Sequence, residues 1–98
     1  MIVKKSKGEV VELGKESTGL KYLYRGKEVG VTFMDVNGLA PQKGAFKVEN
    51  RKLVYIVKGR GLVTIDGKEK KLSKSYVLVM EAGKEYAFSG KFQAVMFN

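Results

Sequence analysis

The side chains that could carry chemistry in this chain of 98 residues include amines, carboxylates and phenols, whereas the sequence contains neither histidine nor cysteine. Without histidine, the chain lacks the commonest metal ligand and the usual general base at neutral pH. Without cysteine, it can form no disulfide bond, thiolate nucleophile or cysteine metal site. Lysines, glutamates and tyrosines remain, and the elements that carry them decide which of them can meet.

Those elements have the pattern of β-strands. Short runs rich in valine, isoleucine, phenylalanine and tyrosine alternate with glycine turns, and little helical spacing is present. Asp66-Gly67 predicts a two-residue hairpin turn that joins residues 62–65 to a strand at 69–72, and Asn37-Gly38 is expected to end a strand. Many short strands about ten residues apart indicate an all-β barrel or sandwich. The predicted strands are 20–24, 29–36, 53–57, 62–65, 76–80 and 92–97.

The length and the apolar segments fit one domain, residues 1–98, that does not cross a membrane. No apolar run is long enough to span a bilayer. The first five residues are not followed by the apolar region of a signal peptide. A cytoplasmic location is therefore expected.

The net charge of +9 invites a nucleic-acid interpretation, but sixteen of the nineteen basic residues are lysines. Arginine grips phosphate and reads guanine with a planar fork, whereas lysine mostly provides diffuse charge. Lysine enrichment with few asparagines and glutamines is typical of heat-adapted proteins. A solvated lysine-rich surface is favoured, and weak, non-specific nucleic-acid binding is kept as an alternative.

Two stretches resemble the two halves of the cupin signature. In the first, residues 52–69, a strand reaches Gly59 and leads into the Asp66-Gly67 hairpin. In the second, residues 72–88, Ala82-Gly83 stands where cupins carry Pro-Ala-Gly. The resemblance covers residues 38–98 and implies a cupin-like double-stranded β-helix, the jelly-roll barrel.

The same resemblance implies a metal-free barrel. Cupins hold a metal through a His-x-His pair, a following glutamate and a later histidine; here Lys52 stands at the glutamate position and Tyr86 at the last histidine. Ammonium and aliphatic groups are not ligands for divalent metals. Neither a metal nor another cofactor is expected, and the metal-dependent activities of cupins do not transfer. Depending on a one-residue gap, the His-x-His pair falls on Ala45 and Lys47 or on Phe46 and Val48.

Lys52 is the first candidate for binding. Strand alternation places it on the same face as Val54 and Ile56, and the resemblance directs that face into the barrel. An ammonium in an apolar cavity must lose its charge or find an anion. Lys52 is thus a candidate anchor for a carboxylate or phosphate, with Tyr86 as hydrogen-bonding neighbour and Lys47 as a further candidate. Alternatively, Lys52 reaches solvent at the barrel mouth and Tyr86 fills the space of a lost metal site.

Glu81 is a further candidate because it flanks Gly83 in a predicted turn. Its carboxylate could pair with Lys52 or Lys84, or act as an acid or base together with Glu85. The alternative is a solvent-exposed turn glutamate with no role in the barrel.

Together these features favour a non-catalytic protein that binds a small, anionic molecule in the barrel or serves as an assembly module. The enzyme alternative is a metal-free isomerase or lyase that uses Lys52 and Tyr86.

A homodimer is expected, because a chain this short buries only a modest fraction of its surface. The apolar last strand, 92–97, is expected at a sheet edge that pairing would protect. The predicted interface is an apolar sheet face and an edge strand.

Overall fold

The computed structural model describes residue 2 and residues 9–12, 19–26, 29–41 and 43–98. Within these ranges the chain forms β-strands and no helix, so none of the described segments is a helix that could cross a membrane. The strands are β1 (Glu9–Glu12), β2 (Gly19–Arg25), β3 (Gly30–Ala40), β4 (Phe46–Lys47), β5 (Lys52–Ile65), β6 (Lys68–Ser73), β7 (Val77–Met80) and β8 (Glu85–Phe97).

The strands pair antiparallel in the order β1-β2-β3-β8-β5-β6, with β4 added to β8 and β7 added to β5. The two longest strands, β5 and β8, pair with each other along most of their length. Because β8 lies between β3 and β5, residues 92–97 are central, and their predicted edge position is wrong. Long-range pairing, which the local pattern does not contain, decides this position.

Two predicted strand ends are also wrong, because glycine lets the chain continue. The predicted strands 53–57 and 62–65 are one strand, β5, which runs through a bulge between Ile56 and Lys58. Gly59 follows with a φ of 86°, and a Cβ there would collide with the Lys91 carbonyl oxygen. In β3, the strand passes through Asn37 and Gly38 to Ala40 instead of ending. β1 and β4 had no counterpart in the sequence prediction.

The predicted hairpin turn is confirmed. Asp66 and Gly67 have φ angles of 46° and 84°. A two-residue type I′ turn requires this left-handed conformation at both positions. Ile65 and Lys68 are paired across the turn, so it fixes the register of β5 with β6.

The core lies on the inner faces of β3, β5 and β8. On β5, Val54 and Ile56 are fully buried while Leu53 and Tyr55 are exposed, which confirms the predicted alternation. Cross-strand neighbours form inner rows, one of them Met34, Ala94 and Ile56 on β3, β8 and β5. The buried core consists of Met34, Val36, Ala40, Val48, Val54, Ile56, Val63, Leu72, Met80, Tyr86, Phe88, Phe92 and Ala94.

Candidate functional site: a cavity with a cationic mouth

A cavity of about 490 Å³ lies inside the barrel, at the end where β3 and β5 begin and β8 ends. At that end, backbone hydrogen bonds between Gly30 and Asn98, with N···O distances of 3.3 and 3.2 Å, extend the pairing of β3 with β8. Most of the cavity wall is apolar. The apolar lining residues are Met34, Phe46, Val48, Met80, Phe88 and Met96.

The wall follows from strand alternation on three neighbouring strands. Thr32 lies two residues before Met34 on β3, and both are buried. Thr32 is opposite Met96 on β8, which is opposite Val54 on β5. The interior therefore changes from fully apolar rows to a row that includes a hydroxyl as it approaches this end.

Lys52 continues the inner face of β5 by one further alternation beyond Val54. Its side chain is half-buried and lines the cavity, and its cross-strand neighbour Met80 lines it too. Among the described residues, no carboxylate forms an ion pair with Lys52. Lys52, a half-buried lysine with no ion-pair partner among the described residues, therefore lies at the cavity mouth.

Lys47 brings a second ammonium to the same cavity from the short strand β4. It is exposed at the rim, and no described carboxylate forms an ion pair with it, although Glu85 is its cross-strand neighbour on β8. Its neighbours Phe46 and Val48 pack in the core, and Val48 is buried. Of the two alternative registers, the structure therefore directs Phe46 and Val48 inward, while Lys47 still reaches the cavity from its edge.

The structure places Tyr86 in the core and not in the cavity lining. Tyr86 is 1% exposed, and its hydroxyl accepts a hydrogen bond of 2.8 Å from the Glu81 backbone N–H. Phe46 is its cross-strand partner on β4. The cavity therefore does not bring Tyr86 together with Lys52, and Tyr86 fills the interior beside it.

Glu81 also lies outside the cavity lining. Its Oε2 is 3.0 Å from Nη2 and 3.1 Å from Nε of Arg51, in an exposed ion pair. Glu81 therefore pairs with Arg51 and not with Lys52 or Lys84, the two partners considered from the sequence. The two partners are 30 residues apart in sequence, so local reasoning about the turn around Gly83 did not find it.

The cavity contains other residues that sequence reasoning missed: Tyr24, Arg25, Thr32 and Asn98. Strand alternation in the sequence could have identified Thr32, because it lies on the same face of the strand as Met34 and Val36. Tyr24, Arg25 and Asn98 had none, since they reach the mouth only through the pairing of β2, β3 and β8.

Comparison with solved structures identifies the fold. The structure superposes on Pac13 of Streptomyces, described as a nucleoside dehydratase and solved with uridine, with a TM-score of 0.84, 14% identity, and coverage of 99% of this chain and 78% of that chain. A cupin superfamily protein of Desulfitobacterium hafniense gives a TM-score of 0.72 at 18% identity, with coverage of 90% and 82%. A predicted oxalate decarboxylase of Thermotoga maritima gives 0.73 at 15%, with coverage of 99% and 96%.

This chain has a cupin-like fold. No protein-family model and no curated protein matches its sequence. Since the structural neighbours are below a fifth identical, they share the barrel, and the cavity's own residues must indicate what this barrel does.

The described lining of the cupin-like barrel does not fit a divalent metal. It contains no carboxylate, imidazole or thiolate, and no group of three or more such side chains that could hold a metal is found in the described parts of the chain. The thioethers of Met34, Met80 and Met96 are soft ligands that divalent metals do not prefer. They also share the cavity with two ammonium groups, which disfavour a further cation. The donor set therefore suits an anion.

Proposed function

We propose that the barrel binds a small organic anion without catalysing its conversion. A carboxylate or phosphate of this ligand lies between Lys47 and Lys52, and its apolar part lies along the wall. The observation that carries the proposal is the pair of lysines at one cavity that has no acidic residue in its described lining.

Electrostatics favours an anion at this position. Removing an ammonium from water without a counter-ion is costly, and two ammonium groups at one mouth also repel each other. An anion between them would relieve both costs. Because Lys52 is half-buried, salt would screen its attraction to an anion less than it screens an exposed pair.

The remaining wall favours an apolar body on the ligand. The volume of about 490 Å³ lies within the range of roughly 300–1,000 Å³ that is typical of small-molecule sites. Three of the wall residues are methionines, whose flexible thioethers adapt to different ligand shapes. A structural neighbour solved with uridine supports a small organic ligand in a barrel of this fold. A carboxylate with a short aliphatic or aromatic body fits this combination.

The position of Tyr86 supports binding without catalysis. In the enzyme alternative, Tyr86 works beside Lys52 as an acid or base. The Tyr86 hydroxyl instead accepts the Glu81 N–H, and Tyr86 does not line the cavity. Two lysines beside an apolar wall can anchor an anion, but without Tyr86 they do not provide the acid–base pair of the enzyme alternative.

Isothermal titration calorimetry with octanoate, octanol and octylamine tests the proposal, because the three probes share one apolar chain and differ in charge. Octanoate should bind at least about tenfold more tightly than the other two, equivalent to about 1.4 kcal/mol. Lys52→Met should weaken octanoate binding by about tenfold or more. Lys91→Met, a matched strand lysine that is exposed and outside the cavity, should leave it unchanged.

Two results would contradict the proposal. One is tighter binding of octylamine than of octanoate. The other is equal octanoate affinity in the wild-type protein and in a folded Lys52→Met variant.

A further inference from the structure

Thr32 is a buried polar residue in the wall of an otherwise apolar part of the barrel. It is 3% exposed, lies on β3 two residues before Met34, and lines the cavity. The other buried side chains in the described part of the chain are apolar or, for Tyr86, aromatic. Thr32 therefore presents a hydroxyl group to the cavity at a position that is shielded from bulk solvent.

The Thr32 hydroxyl has no hydrogen-bond partner among the described residues. The hydroxyl of Tyr86, by contrast, accepts the Glu81 N–H. No described side-chain nitrogen or oxygen atom is both fully enclosed and without a hydrogen bond. Since the Thr32 hydroxyl is without one, it is not fully enclosed, and the space into which it opens is the cavity.

Neither strand formation nor packing accounts for a hydroxyl group at this position. Valine has nearly the same shape as threonine and is equally suited to a strand. An apolar enclosure disfavours a hydroxyl that has no hydrogen bond. The wall neighbours of Thr32 include Met34 on the same strand and Met96 opposite it on β8, and their thioethers are only weak acceptors. The partner of this hydroxyl must therefore come from the contents of the cavity.

The contents of the cavity differ in how well they can pair with Thr32. Water pairs with such a hydroxyl when no ligand is bound. A ligand that displaces this water loses affinity unless it supplies a hydrogen bond in its place. A plain hydrocarbon chain supplies none. A hydroxyl or carbonyl oxygen supplies one, because threonine both donates and accepts hydrogen bonds.

We infer that the anion bound by this barrel carries a hydroxyl or carbonyl oxygen on its apolar body, and that Thr32 determines this specificity. The inference rests on the proposed function, which places the anionic group between Lys47 and Lys52. Thr32 lies deeper than Gly30, the first residue of β3, and β8 separates its strand from the strand of Lys52. Two strand spacings are about 9–10 Å. The ligand oxygen that meets Thr32 is therefore several carbons away from the anionic group.

Calorimetry with octanoate and its hydroxylated isomers tests the inference. In the wild-type protein, 6-hydroxyoctanoate or 8-hydroxyoctanoate should bind about threefold more tightly than octanoate, or better. The isomer 2-hydroxyoctanoate should gain nothing, because its hydroxyl adjoins the carboxylate.

Substitutions of Thr32 assign the preference to its hydroxyl. Thr32→Val should reverse the order of the two affinities, because the ligand hydroxyl then enters an apolar wall without a partner. Thr32→Ser keeps a hydroxyl and should retain the wild-type order. Thr64→Val is the matched control, because Thr64 is a strand threonine outside the cavity lining, and it should also retain that order.

The outcomes separate this inference from the proposed function. If octanoate binds but neither the 6-hydroxy nor the 8-hydroxy isomer binds more tightly, the inference is overturned and the anion site remains. A folded Thr32→Val protein that keeps the wild-type order would overturn it as well. If neither octanoate nor any isomer binds, the anion site fails and this inference fails with it.

Discussion

Val36, Val63, Leu72 and Phe92 fill one part of the barrel interior and do not line the cavity, while another part encloses about 490 Å³ of space. We call these the packed half and the open half. Phe88 and Phe92 meet at the boundary, with ring centroids 6.0 Å apart and planes tilted by 58°. Phe88 lines the cavity, whereas Phe92 belongs to the filled core.

The two halves differ in what their inward positions carry. In the packed half these positions are apolar, and glycines allow close backbone approach: a Cβ on Gly90 would lie 2.6 Å from the Gly61 Cα. In the open half the inward positions include Thr32 and Lys52, with Lys47 at the rim. An inward-facing polar side chain destabilises a core, so its presence in the open half indicates a role other than packing. The comparison therefore predicts that changes in the packed half cost stability and changes in the open half cost binding.

The largest effect is expected from Gly61→Val in the packed half. A Cβ at Gly61 would collide with the Ser89 carbonyl oxygen and lie 2.6 Å from the Phe92 ring. Because backbone cannot move aside as a side chain can, this variant should lose about 3 kcal/mol of stability or more, or fail to fold. Urea unfolding measures the loss.

Gly44→Ala is the control, because Gly44 has open space around it and only its φ of 80° is unfavourable. A loss of about 1 kcal/mol in stability is expected for this variant. Equal losses in the two variants would show that the close strand approach is unimportant.

Tyr86→Phe should have a smaller effect on stability, of about 1–2 kcal/mol. It keeps the ring but leaves the Glu81 N–H without its 2.8 Å acceptor. For a domain of this size the loss corresponds to a fall in Tm of about 4–16 °C. Octanoate affinity should not change. Tyr76→Phe, at an exposed tyrosine, should change stability by less than about 0.5 kcal/mol. A Tyr86→Phe protein with normal stability but lost octanoate binding would show that Tyr86 belongs to the binding site.

Lys52→Met in the open half should leave stability unchanged or raise it by up to about 1 kcal/mol. The substitution replaces the half-buried Lys52 side chain by an apolar side chain of similar length in a methionine-lined wall. Thermal unfolding without ligand tests this. Destabilisation by more than about 1 kcal/mol would mean that Lys52 holds the fold together, and the contrast between the halves would fail at this position.

The smallest effect is expected from metal removal. The described lining offers no suitable set of ligands for a divalent metal. Dialysis against a chelator should therefore leave Tm unchanged, and elemental analysis before dialysis should find no stoichiometric metal. One equivalent of zinc, manganese, iron or nickel that stabilises the protein would contradict this account of the cavity.

The sequence predicts local features of this barrel well and long-range ones poorly. The Asp66-Gly67 turn follows from two residues, and the inward direction of Val54 and Ile56 follows from alternation. The resemblance to cupins predicted the fold and identified Lys52 and Lys47 as candidate binding residues. These inferences succeed because each depends on neighbouring residues or on a short signature.

The remaining features depend on which strands become neighbours. The Arg51–Glu81 pair, the central position of β8 and the contribution of Asn98 to the mouth all arise from pairing between distant segments. The continuation of β5 past Gly59 depends on the close approach of β8, whereas the local sequence around that glycine is typical of a turn. Composition and periodicity contain none of this information.

Methyl NMR of the methionines tests the central claim most directly, because three of the four methionines in the chain line the cavity. The ¹³C-methyl signals of Met34, Met80 and Met96 can be assigned by single substitution to leucine and followed as octanoate is added. An anion whose apolar body lies in the barrel should shift all three signals along one saturable curve, and octylamine at equal concentration should not. If octanoate leaves these signals in place, or if octylamine shifts them equally, then the barrel is not the anion site that its two lysines indicate.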